Sequence, residues 1–279
     1  MVTKFVEFIF FGSIFIALCV VAMCIETNLL LHLPLNNIGF YSFVFGATLV
    51  QYNLHYLVKK TAVPNSMRFR WSKQNASTHK ILAGIGLILI IAGLFSFQLH
   101  HFIFLLLLGI ITLLYSLPVL PFTNRKRLKD FGILKIITIT LLWTMVTVWF
   151  PVSQAYYTDV SFLLIFLRRF IFILILCLVF DIRDTEVDGK ENRRTIPVIM
   201  GISKAYVVCY ILLIVFVLLS LVQYLKIPDI AQLNSMLISA GATFIMIKYT
   251  QKNQSDLAHL ACIDGMMLLQ AILVIIGSI

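Results

Sequence analysis

Residues 81–124 read ILAGIGLILIIAGLFSFQLHHFIFLLLLGIITLLYSLPVLPFTN, and none of them carries a formal charge. A helix rises about 1.5 Å per residue and a bilayer core is about 30 Å thick, so about 20 apolar residues make one span. This run is twice that length. Gln98-Leu99-His100-His101 interrupts its middle and places a tight turn between two spans. Carried outward, the same reading gives spans near residues 5–25, 38–58, 81–99, 102–120, 134–152, 161–180, 204–225, 230–248 and 257–278. Composition agrees, with 61% hydrophobic and 12% charged residues in a 279-residue chain, where a soluble domain has about a quarter charged. The expected fold is an all-α integral membrane protein, one domain over residues 1–279. Its nine transmembrane helices bundle around a central cavity, in the inner membrane for a bacterial chain. The first apolar segment is read as a span, because no small-residue cleavage site stands out after it.

The net charge of +10 raises the question of nucleic acid. Its distribution answers it. With the N-terminus inside, 19 of the 22 Lys and Arg fall in inner segments, and only Arg168, Arg169 and Lys226 lie elsewhere. The positive-inside rule then sets the N-terminus in and the C-terminus out, and no nucleic-acid partner is expected. The five cysteines lie within apolar runs and have no CxxC spacing, so they read as packing residues. The longest connections, about 59–80 and 181–203, both fall on the inner side, which points function to that face.

The second of these contains FDIRDTEVDGKENRRTIPVIMG, residues 180–201. Asp181, Asp184 and Asp188 stand at i, i+3 and i+7, which on a continuous helix places them along one face. Like charges so stacked repel unless cations neutralise them. A hard divalent ion such as Mg²⁺, completed by phosphate oxygens and water, is one partner. Lys190, Arg193 and Arg194 follow and are suited to phosphate oxygens. The alternative is a solvated helix end with internal pairs, Asp184 with Lys190 and Glu186 with Arg183. Spacing alone leaves both open.

The whole segment, Asp181, Asp184, Glu186, Asp188, Lys190, Arg194, Thr195, Pro197 and Gly201, resembles the second aspartate-rich motif of the UbiA superfamily of intramembrane prenyltransferases. Tyr115-Ser116-Leu117-Pro118 followed by Arg125-Lys126-Arg127 is similar to that family's Tyr-Pro-then-basic signature after the fourth helix. The resemblance implies Mg²⁺-dependent transfer of a prenyl group from a polyprenyl diphosphate to a lipophilic acceptor at the cytoplasmic face. Asp181, Asp184 and Asp188 would hold the metal on the diphosphate, and Lys126, Arg127, Lys190 and Arg194 would neutralise the remaining charge. Tyr115, beside the site, would offer an aromatic face to an allylic cation.

The chain departs from the family at its first motif, NxxxDxxxD. The matching positions are Asn53, Leu57 and Thr61, and residues 54–80 contain no Asp or Glu. On one reading basic groups take over: His55, Lys59, Lys60 or Arg68 contact the diphosphate directly, with Asn53 lining the substrate site. On the other, the chain has lost transferase chemistry and binds or carries a prenyl lipid. A CDP-alcohol phosphotransferase would need a DGxxAR element, which is missing. Asp264, within the last expected span, is expected to pair with a polar group or to line the cavity.

Overall fold

The computed structural model describes residues 2–58, 66–116, 131–153 and 156–278. Among them every regular element is helical and no strand occurs. Among the described residues six helices are long and apolar enough to cross a membrane, seven if one bent pair counts as a span. Large apolar side chains stay exposed along them, Ile88, Leu106 and Ile214 among these. In water such surfaces would be costly, and in lipid they are the expected exterior. The protein is an integral, multi-pass membrane protein.

The chain divides into two compact units, residues 1–97 with 248–277, and residues 98–247. In the first, α1 (Val2–Phe11) and α2 (Ile14–Leu30) replace the single span expected at 5–25 and meet at 54°. The bend falls at Gly12-Ser13. Ser13 adopts a left-handed backbone, φ 67°, which ends the first helix. α3 (Ile38–Val58) and α5 (Ala76–Leu94) form a hairpin joined through α4 (Met67–Gln74). The two long helices approach backbone to backbone. A Cβ on Gly46 would lie 2.5 Å from the Gly86 carbonyl oxygen, and one on Gly93 would lie 2.5 Å from that of Gly39. Small residues at seven-residue spacing thus permit the close contact that drives helix association in lipid. The last helix begins as α13 (Asp256–Ala258), widens into a π turn at His259–Ile263 and continues as α14 (Gly265–Gly277), which packs on α2.

The second unit holds α6 (Leu99–Ser116) and α7 (Gly132–Thr144), which runs on through a π turn at Met145–Trp149. It continues with α8 (Val160–Arg183), the short α9 (Thr185–Lys190) and α10 (Ile196–Met200), α11 (Ile202–Lys226) and most of α12 (Ile230–Lys252). Asp159 caps α8, its carboxylate accepting from the Ser161 N–H at 2.8 Å. Arg168 and Arg169 are both buried, and Arg168 donates to Gln223 Oε1 at 2.6 Å. Gly201, φ 87°, makes the corner between α10 and α11.

Candidate active site

The acidic segment lies in the second unit, at the end of α8. The three aspartates do not share one continuous helix. α8 stops at Arg183, Asp184 takes a non-helical conformation, and α9 starts afresh. The Thr185 hydroxyl donates to the Ile182 carbonyl at 2.7 Å, a side-chain-to-backbone bond of the kind that competes with helix continuation. The break turns Asp184 aside, where it accepts two bonds from Arg183 at 2.8 and 3.2 Å. Glu186 pairs with Lys190 at 2.7 Å on the exposed face of α9, and that bond holds its carboxyl below the ordinary range. Of the internal pairs weighed from sequence, neither forms; neighbouring ones do.

Asp181 and Asp188 remain together and are nearly buried, 5% and 2% exposed. Lys135, one turn into α7, reaches both, with Nζ 2.8 Å from Asp181 Oδ1 and 3.3 Å from Asp188 Oδ2. Arg193 donates to the other Asp188 oxygen at 3.2 Å and also pairs with Glu191. Asp181 Oδ2 is buried with no hydrogen-bond partner. Tyr115 stands at the end of α6. Gly132 makes this packing possible, since a Cβ there would collide with the backbone of Arg194 and Thr195. The side chain of Arg194 points outward, and Thr195 is buried with its hydroxyl unpartnered.

The other expected site residues divide. Lys59, Lys126 and Arg127 lie outside the described residues. Asn53 and His55 stand at the end of α3, in the first unit. His55 is exposed. Asn53 is wholly buried, its amide donating to the carbonyls of Leu49 at 2.8 Å and Gly12 at 3.1 Å. With its NH₂ so engaged, Oδ1 is the acceptor, and His79 Nδ1 donates to it at 2.6 Å. Nearby, Arg68 lies over the Tyr56 ring at 4.3 Å and donates to Ser13 Oγ at 3.1 Å. Asp256 accepts from Ser66 Oγ and from the Arg68 N–H, at 2.8 and 3.0 Å.

Sequence reasoning counted Lys135 only as an orientation charge. A single lysine beyond Gly132 in an otherwise apolar helix was the available signal, because an intramembrane charge needs a partner. Among the described residues no three His, Cys, Asp or Glu side chains converge as a metal site. Asp181 and Asp188 stand together as a pair of carboxylates bridged by Lys135. Mg²⁺ is commonly held by one or two carboxylates with substrate phosphate and water. The unpartnered, buried Asp181 Oδ2 is a hard oxygen of the kind such an ion takes.

A solved structure of a digeranylgeranylglyceryl phosphate synthase is similar in fold. Its TM-score is 0.58 at 17% identity, covering 100% of this chain and 99% of that one. No curated protein sequence matches the chain. The model of the UbiA prenyltransferase family matches residues 72–269, from α4 to α14 and through the whole acidic segment. Matched over well more than half its length, the chain belongs to the UbiA prenyltransferase family.

Proposed function

We propose that this protein transfers a prenyl group from a polyprenyl diphosphate to a lipophilic acceptor, in a Mg²⁺-dependent reaction at the cytoplasmic membrane face. The observation that carries this reading is the buried pair Asp181 and Asp188, held together within a chain of this family. The same reading takes nine spans around a central cavity, with the N-terminus in and the C-terminus out, from the apolar runs and the inward-biased lysines and arginines.

Asp181 and Asp188 would hold Mg²⁺, with Asp184 joining on release from Arg183; bound there, the ion neutralises charge on the departing diphosphate. Lys190 and Arg194, with Lys59, Lys126 and Arg127, bind the other phosphate oxygens. The bond between the prenyl C1 and the diphosphate oxygen breaks, and the electron pair leaves with the diphosphate. Tyr115 presents its ring toward the resulting allylic cation, whose charge an aromatic face stabilises. His55, exposed in the first unit, would contact substrate phosphate, and Asn53 holds the end of α3 through His79 and Gly12. The acceptor attacks C1 and loses a proton. The apolar walls exclude water, which would otherwise capture the cation.

A second reading rests on residues 54–80, which contain no acid, and on Lys135 and Arg193, which already neutralise the buried pair. On that reading the protein binds or carries a prenyl lipid without turnover. Labelled prenyl diphosphates supplied to membranes holding the protein, with Mg²⁺ or with EDTA, decide between them. Release of diphosphate only with Mg²⁺ supports transfer. Bound prenyl lipid with no diphosphate release would sink it and favour the carrier.

A further inference from the structure

Lys135 has no counterpart in the expected site, yet it occupies the centre of the acidic pair. Its ammonium bonds one oxygen of Asp181 and one of Asp188 at 2.8 and 3.3 Å. The side chain of Lys135 is 18% exposed, so water does little to solvate it, and the two carboxylates are its solvation. Of the four carboxylate oxygens, Lys135 takes two and Arg193 takes a third. The fourth, Asp181 Oδ2, is buried and unpartnered. One further cation therefore has a donor waiting, and a second has none. Residues 54–80 supply no carboxylate for another ion.

We infer that Lys135 is a built-in cation of this site, standing where a second divalent ion would otherwise sit between Asp181 and Asp188. This inference rests on the Mg²⁺ reading above and goes beyond it by naming the residue that sets how many ions the carboxylates accept. It explains how two buried like charges persist side by side without metal. When diphosphate arrives, the charge of the two aspartates is already partly balanced by an ammonium in place. Lys135 is a positioning and charge-balancing residue on this account. Its effect reaches the substrate through the two aspartates.

The test is Mn²⁺ binding to the substrate-free, full-length protein in nanodiscs, followed by electron paramagnetic resonance. Lys135→Met removes the competing ammonium, so Mn²⁺ affinity should rise at least about tenfold. Lys135→Arg, which restores a cation, should stay within about threefold of the wild type. Unchanged or weaker Mn²⁺ binding by Lys135→Met overturns the inference. Thermal unfolding in crude membranes covers the case in which that variant folds poorly. Recovery by millimolar Mg²⁺ or Mn²⁺, in a variant unstable in EDTA, supports the inference, because only the missing cation is being replaced. Failure of either ion to restore it assigns Lys135 a purely structural part and overturns it. Prenyl transfer by the wild type in the same preparations separates the two readings. Turnover without the affinity change removes the role of Lys135 alone. The affinity change without turnover removes the transferase reading and leaves Lys135 as the resident cation.

Discussion

The end of α8, where the sequence resembles an acidic motif of the family, and the end of α3, where it departs from one, hold their polar groups in opposite ways. At α8 the carboxylates persist, buried, each oxygen but one answered by Lys135 or Arg193. At α3, residues 54–80 hold no carboxylate, and Asn53 is absorbed into the packing of its own unit. The difference teaches that polar letters in a sequence can serve different ends. The aspartate pair retains one unanswered oxygen, Asp181 Oδ2, whereas Asn53 has its amide donors and its acceptor all engaged. A polar residue with capacity left over is a candidate for ligand binding. One that is fully engaged is a candidate for stability.

The most severe way to break the comparison is Asp188→Asn. It weakens the attraction to both Lys135 and Arg193 and removes a charge from the diphosphate site. Prenyl transfer should fall by about 10²–10³-fold, the scale of losing one electrostatic contact to a transition state. Activity near that of the wild type would show that the buried pair is not the site. Gly132→Ala comes next. Its methyl has no room against Arg194 and Thr195, so the loop carrying Arg193 must shift. Overpacking of this kind costs about 1–3 kcal/mol, read as a lower unfolding temperature in detergent together with reduced turnover. A variant as stable and active as the parent would mean that α7 and the loop are not packed as described.

Asn53→Leu sharpens the other half. It leaves the Gly12 carbonyl and His79 without their partner, and an unmade buried hydrogen bond costs about 1–3 kcal/mol. Stability should drop while the KM for prenyl diphosphate holds. A raised KM with unchanged stability would move Asn53 into the substrate site. The smallest effect is expected at Glu186→Gln. Its pair with Lys190 is solvent-exposed, and exposed pairs contribute little. Unfolding temperature and turnover should both match the parent. A marked loss of turnover would place Glu186 in the site.

Much of the architecture was legible because span-length apolar runs have few alternatives in a bilayer. The expected 38–58 is α3 to the residue, and 161–180 sits inside α8. What could not be read was any feature set by tertiary contact. The bend at Gly12-Ser13 depends on a left-handed serine, a residue type that gives no local warning of it. The interruption at Asp184 hides within a spacing, 181, 184 and 188, that fits an unbroken helix equally well. Lys135 was visible as a charge, but its proximity to Asp181 is a fact of α7 meeting α8, across 46 positions in the chain. Asn53 carried the same letter in either role, and only its three hydrogen bonds reveal which one it plays within α3.

The glycine pairing of α3 with α5 has a further consequence. Where Gly46 faces the Gly86 carbonyl and Gly93 faces that of Gly39, the two backbones touch and leave no crevice for an isoprenoid tail. A long greasy substrate that reaches its site sideways from the bilayer cannot slip through this seam. On the proposed transferase reading, a lateral opening for such a tail would lie along some other pair of helices.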